Sequence, residues 1–80
     1  MRIELRLYAS LSRYMPVQGS GGQPEMAEVA EGTTIRELLE GLGVPLGAIK
    51  VIFLNGIHAK GEAVLKEGDR VGVFPPVAGG

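Results

Sequence analysis

Polar and hydrophobic residues alternate along the first segment of the chain. The segment RIELRLY, residues 2–8, has an aliphatic residue at every second position and a charged residue before each one. The aliphatic residues are Ile3, Leu5 and Leu7, and the charged residues are Arg2, Glu4 and Arg6. A period of two residues is typical of a strand with one buried face, so the pattern predicts a half-buried β-strand over residues 2–8.

The region after this strand is less regular. In ASLSRYMP, Leu11 and either Tyr14 or Met15 have helical spacing, which predicts one or two helical turns. Pro16 would end them, because proline lacks the backbone N–H that continues a helix. The glycine-rich stretch QGSGGQP, residues 18–24, predicts a loop.

Three further segments are predicted to be strands. PEMAEVAEG resembles a short strand with Met26 and Val29 as its apolar anchors. KVIFLNG, residues 50–56, has four consecutive apolar residues and then Asn-Gly, a strong signal for a hairpin turn. Valines alternate with other residues in RVGVF, residues 70–74, which predicts the last strand. Further turns are predicted at Gly61 and at residues 67–69.

One helix is predicted by several independent signals in TTIRELLEGLG, residues 33–43. Thr34 and Glu37 have the spacing of a capping box. The apolar residues Ile35, Leu38, Leu39 and Leu42 form one stripe with helical periodicity. Gly43 suits a left-handed cap and Pro45 prevents continuation, so we predict a helix over Thr34–Leu42 with one buried face.

The order of these elements predicts an α+β fold. Two hairpins on either side of one helix can bury its apolar face against a mixed sheet. The first and last strands then lie side by side and parallel at the centre of the sheet, since the helix provides the crossover between them. This is the β-grasp, or ubiquitin-like, arrangement. We expect residues 1–74 to form the domain and residues 75–80 to project from it as a tail.

Composition limits the functions that this small domain could have. The chain has 80 residues and a net charge of −1, so it lacks the basic excess of an electrostatic nucleic-acid binder. It contains no cysteine, which excludes disulfides, cysteine-based zinc sites and thiol nucleophiles. We identify no metal site. No apolar run is long enough to span a membrane and the first residues do not resemble a signal peptide, so we expect a cytoplasmic location.

The segment FPPVAGG, residues 74–80, is the strongest candidate for chemistry. Pro75 and Pro76 would end strand pairing and keep the chain extended. Beyond them, Val77 offers a modest apolar contact, and Ala78, Gly79 and Gly80 are narrow enough to enter a tight channel. The α-carboxylate of Gly80 is ionised and unreactive at neutral pH. Activation by ATP to an acyl-adenylate would let sulfide give a thiocarboxylate, or an amine give an amide.

Five segments of the chain resemble the MoaD/ThiS-type family of ubiquitin-like sulfur carriers. That family contains the small subunit of molybdopterin synthase and the sulfur carrier of thiamine synthesis. The segments are LYASLSRY, TTIRELLE, LNG, LKEGDRV and FPPVAGG. The resemblance covers essentially the whole chain. Phe-Pro-Pro-Val is typical of the molybdopterin type, whereas the loop GSGGQP departs from the family pattern.

The resemblance implies a role for each residue of the tail. An adenylating enzyme of the ubiquitin-activating type would use ATP to activate Gly80, and sulfur transfer would then give the thiocarboxylate. The tail would enter the large subunit of molybdopterin synthase and deliver sulfur to a pterin precursor. Gly79 and Ala78 would form a narrow neck, and residues 74–77 would align the arm. The carrier itself would hold no cofactor and no catalytic side chain.

Other candidate residues have simpler structural interpretations. His58 follows the Asn-Gly turn without a second histidine or cysteine to share a metal, so a solvent-facing hairpin residue is favoured. Glu37 and Glu40 lie three residues apart on the helix, where capping and solvation explain them better than acid–base catalysis. The GSGG loop lacks the Gly-Lys-Ser/Thr ending of a phosphate-binding loop.

The apolar run Val51–Leu54 predicts buried core, but one face of a β-grasp sheet has no covering helix. We therefore hypothesise that alternate residues of this run, together with Phe74, form an apolar patch on that uncovered face. A patch of this kind would bind a partner protein.

Three functions fit this sequence. The first is a sulfur carrier for molybdenum or tungsten cofactor synthesis. The second uses the same carboxylate in another pathway: thiamine synthesis, tRNA thiolation, cysteine synthesis or conjugation to proteins. The third is a β-grasp binding module with an inert tail, in which Gly-Gly is a coincidence in a chain of 13 glycines. Removal of Gly80 should abolish the first two functions and leave the third intact.

Overall fold

The computed structural model describes residues 1–15 and 24–76, and these residues form five strands, one α-helix and two short 3₁₀ helices. The strands are β1 (Arg2–Leu7), β2 (Glu25–Glu28), β3 (Val51–Leu54), β4 (Ile57–Ala59) and β5 (Arg70–Phe74). Helix α1 spans Ile35–Gly41, and the 3₁₀ helices span Ala9–Tyr14 and Leu46–Ala48.

The strands make one mixed sheet in the order β2-β1-β5-β3-β4. Strands β1 and β5 pair in parallel at its centre, and the other pairs are antiparallel. The first and last strands are therefore neighbours, as the sequence predicts. The α+β class and the β-grasp topology are confirmed.

The strand register gives the sheet two different faces. On the covered face, Leu5 lies opposite Val71, and Val73 lies between Leu7 and Ile52. These side chains belong to one buried cluster that also includes Ile3, Leu11, Met15, Ile35, Leu38, Leu39, Val44 and Leu65. Helix α1 thus packs its predicted stripe onto this face. The opposite face, called the open face below, carries the alternate residues of the same strands.

The ends of α1 follow the signals in its sequence. The Glu37 N–H donates to Thr34 Oγ1 at 3.1 Å, and the Thr34 N–H donates to Glu37 Oε1 at 2.9 Å, which completes the capping box. After the helix, Gly43 has φ +84°, a conformation that glycine adopts without steric cost. The predicted helix is confirmed, with Leu42 as its C-cap. No helix in the described residues is long and apolar enough to span a membrane.

One prediction about the first hairpin is wrong. Met26, predicted to anchor β2, is 54% exposed because it lies opposite Glu4 and therefore on the open face. Ala27 faces the core instead, and Val29 is partly buried against it, as predicted. The one or two helical turns predicted after β1 are confirmed as a 3₁₀ helix, Ala9–Tyr14, followed directly by buried Met15. Pro16 and most of the predicted glycine-rich loop lie outside the described residues.

Candidate functional site: the tail root and the open face

The root of the tail is held from both sides. The Val73 C=O accepts a hydrogen bond from the Tyr8 N–H at 3.0 Å, beside β1. The Phe74 C=O accepts one from the Lys50 N–H at 2.8 Å, beside β3. Since β5 is a central strand, it is paired on both edges until it ends. The backbone is therefore fixed in position up to Phe74.

Two prolines follow this root. Neither Pro75 nor Pro76 has an N–H, so neither can continue the ladder, and the strand ends as predicted. Pro75 is half-buried and Pro76 is exposed. The remaining predicted site residues, Val77, Ala78, Gly79 and Gly80, lie outside the described residues. Their roles, and the boundary between domain and tail at residue 74, stay predictions.

Three rings form an aromatic cluster on the open face beside the root. The Phe74 ring stacks on the Tyr8 ring with centroids 4.0 Å apart and planes within 7°. The Phe53 ring meets Phe74 edge-on at 5.8 Å. All three side chains are only half-buried. The register places Val51 and Phe53 on the same face as Phe74, so the hypothesised apolar patch exists as a surface. Its use by a partner stays a prediction.

Tyr8 belongs to this cluster, although no sequence pattern identifies it as a site residue. A Cβ added to Gly72 would lie 3.3 Å from Tyr8 Cε2, so the tyrosine ring covers the strand at this glycine. The alternation of β1 contains the signal, because Tyr8 continues the series of open-face positions after Glu4 and Arg6. The glycine that accommodates the ring is distant in sequence, so the contact itself is not apparent from β1 alone.

The aromatic cluster borders a depression of about 440 Å³ in the open face. Its lining also includes the charged residues Glu4, Arg6 and Arg70. Arg6 Cζ lies 4.7 Å from the centre of the Tyr8 ring, a cation–π geometry. The surface therefore combines exposed ring area with guanidinium groups, which is the chemistry of a protein-binding surface. Among residues 1–15 and 24–76, no three side chains of the metal-binding types cluster together.

The other candidate residues have structural positions that fit their simpler interpretations. His58 lies on β4, is exposed and meets the Phe53 ring edge-on at 6.2 Å, as expected for a hairpin residue. Glu37 is the capping residue described above, and Glu40 is exposed on α1.

A mixed sheet of five strands with one main helix on its covered face defines a β-grasp, ubiquitin-like protein. The model of the Mut7-C ubiquitin family matches residues 1–79, and the chain belongs to that family. No curated protein sequence matches the chain.

Solved structures from three organisms share the fold. The putative molybdopterin converting factor subunit 1 from Pyrococcus furiosus is 25% identical, with a TM-score of 0.68 over 95% of this chain and 98% of that one. A chain from the complex of subunits 1 and 2 of the molybdopterin-converting factor of Helicobacter pylori is 26% identical, with a TM-score of 0.57 over 100% of both chains. SAMP1 from Haloferax volcanii is 22% identical, with a TM-score of 0.71 over 100% of both chains. At this identity, the likeness indicates a shared fold and nothing further. The resemblance to the ubiquitin-like sulfur-carrier family is confirmed.

Proposed function

We propose that this protein is a sulfur carrier whose Gly80 carboxylate is adenylated, converted to a thiocarboxylate and used as the sulfur donor in molybdopterin synthesis. The observation that carries the proposal is the position of the root of the tail. Strand β5 is central, paired on both edges up to Phe74, and followed by a sequence without bulky side chains. The likeness to molybdopterin converting factor chains supports this pathway and a large-subunit partner.

The chemistry requires only the carboxylate. A Gly80 oxygen attacks the α-phosphate of ATP, pyrophosphate leaves, and an acyl-adenylate forms on the partner enzyme. A sulfide equivalent then attacks the carbonyl carbon and displaces AMP with one carboxylate oxygen, which leaves a thiocarboxylate. Transfer of the sulfur to an acceptor, with water supplying the replacement oxygen, restores the carboxylate. The domain contributes rigid presentation of the tail and a surface that partners recognise.

The test uses the absence of cysteine. The protein is incubated with its adenylating enzyme, ATP and a sulfide source, and is then treated with a thiol alkylator at mildly acidic pH. Mass spectrometry should locate one alkyl adduct at Gly80. Alkylation is needed because oxidation of one of the three methionines nearly mimics the mass of oxygen-to-sulfur exchange. Intact mass of the protein from its own cells first establishes that the mature chain ends at Gly80, which the proposal requires.

The matched control is the variant that lacks only Gly80, which should fold normally and gain no adduct. An adduct in both proteins would contradict the proposal. So would an adduct in neither protein, provided that the same enzyme is shown to charge another carrier. Amide-linked conjugates in place of the adduct would instead favour a protein modifier. Charged protein mixed with the large synthase subunit and a pterin precursor should yield the dithiolene product, which distinguishes molybdopterin synthesis from the other sulfur pathways.

A further inference from the structure

The depression in the open face carries charge that sulfur transfer does not require. The exposed side chains of Arg6 and Arg70 both line it, and Glu4 supplies a half-buried carboxylate. Among residues 1–15 and 24–76, the ion pairs are Met1–Glu28 and Arg36–Glu62, so neither arginine of the depression has a carboxylate partner. The depression thus has a net charge of about +1, on a chain whose net charge is −1.

The pairing of β1 with β5 places the two arginines on the open face. Arg6 lies opposite Gly72 on the neighbouring strand, and Arg70 lies two residues before that glycine, so both side chains project from the same face. The Tyr8 ring covers the strand at Gly72, where a side chain on that strand would meet it. The Asn55 side chain fixes the start of β5, since its Oδ1 accepts from the Arg70 N–H at 2.9 Å and its Nδ2 donates to Asp69 Oδ1 at 2.9 Å.

Rings and guanidinium groups together indicate which chemistry would fit. Tyr8 lies beside Arg6, and Phe53 also lines the depression, so apolar contact is available next to the charge. A guanidinium group presents paired N–H donors that match the two oxygens of a carboxylate. Because Glu4 offsets one of the two arginines, the charge balance suits a single carboxylate better than a polyanion such as nucleic acid.

We propose that this depression binds an Asp or Glu side chain on the surface of the protein that receives the tail, with the aromatic cluster packing against an apolar neighbour of that side chain. The identity of the partner, an adenylating enzyme, rests on the proposed function. The carboxylate contact would select partners that carry an acidic residue beside the entrance of their tail channel. It would act before any chemistry at Gly80.

The experiment measures the Kd of the full chain with its adenylating enzyme by calorimetry, without ATP so that no reaction occurs. The variants are Arg6→Glu, Arg70→Glu and the double substitution. Each single variant should raise Kd about tenfold, since reversal replaces attraction by repulsion at an interface. The Kd of the double variant should also rise less with salt concentration than that of the wild type, because added salt screens the new repulsion. Lys66→Glu is the matched control: it makes the same change in charge beside a different depression and should change Kd less than about twofold.

Several outcomes would overturn the inference. These are unchanged Kd in the double variant, an equal effect of Lys66→Glu, and no binding by the wild-type protein. Occupation of the depression by the chain's own tail would also overturn the inference. If it filled the depression, deletion of residues 77–80 would shift the Arg6 and Arg70 amide signals in NMR spectra of the free protein. Arginine-dependent binding without sulfur transfer to Gly80 would reject the proposed function and leave this inference standing.

Discussion

The two faces of the sheet are built from different kinds of side chain. On the covered face, Leu5, Leu7 and Val73 are completely buried aliphatic residues. On the open face, Tyr8 and Phe53 are half-buried rings with charged neighbours. Aliphatic side chains fill an interior without polar atoms to satisfy, whereas rings and guanidinium groups retain area and hydrogen-bonding capacity for a partner. We therefore expect the covered face to determine stability and the open face to determine binding.

The largest effect should come from breaking the covered face. Leu5→Ala removes a fully buried side chain from the central strand β1. The free energy of unfolding should fall by about 3 kcal/mol, because transfer energy is lost and a cavity is left. Denaturant titration followed by circular dichroism measures this change. A loss below about 1 kcal/mol would mean that this position is not part of a close-packed core. Binding by the folded fraction should stay close to that of the wild type.

The reverse pattern is expected on the open face. Phe74→Arg removes the ring that stacks on Tyr8 at 4.0 Å, so the free energy of unfolding should fall by only about 1–2 kcal/mol. Affinity for the adenylating enzyme should fall tenfold or more, because the aromatic cluster loses a ring and gains a charge. Both quantities can be measured on one preparation. Phe74→Tyr keeps the ring and should bind almost normally, while equal binding by Phe74→Arg would reject the partner role of this face.

The smallest change in stability is expected in strand β2, where it tests which residues face the core and which lie on the open face. Met26→Ser should change the free energy of unfolding by less than about 0.5 kcal/mol, because the methionine side chain is exposed beside Glu4. Val29→Ser, three residues along, should cost about 1 kcal/mol, since Val29 packs partly against the core. Thermal or denaturant unfolding compares the two variants directly. A larger loss for Met26→Ser would restore Met26 as the anchor of this strand.

Local signals account for the parts of the fold that were predicted correctly. Thr34 and Glu37 act within one turn of helix, so the capping box can be recognised without knowledge of the rest of the chain. The hairpin turn can also be recognised from local sequence. Asn55 and Gly56 both adopt positive φ, at 55° and 81°, and these residue types tolerate that conformation. The alternation in β1 and β5 likewise needs only neighbouring residues.

The prediction that was wrong and the contacts that were not predicted depend on the register between distant segments. Met26 and Val29 are three residues apart, so a strand with a period of two cannot bury both, and only its pairing with β1 decides which faces the core. The stacking of Tyr8 on Phe74 joins the two ends of the chain and appears in neither pattern alone. The depression also depends on register, since Arg6 and Arg70 line one surface only when β1 and β5 pair. The tail stays a prediction from its sequence, and the structure adds the way its root is held.

The pairing of β5 with both β1 and β3 has a mechanical consequence. Under the proposed function, a partner that draws the tail into a narrow channel would load β5 along the strand axis. Its hydrogen bonds run roughly across that axis, so the load is shared as shear by many bonds on both edges, up to the bonds from Tyr8 and Lys50. Strand β1 thus stabilises β5 through the hydrogen bonds between them. The root of the tail is therefore anchored against such a pull by both neighbours of β5.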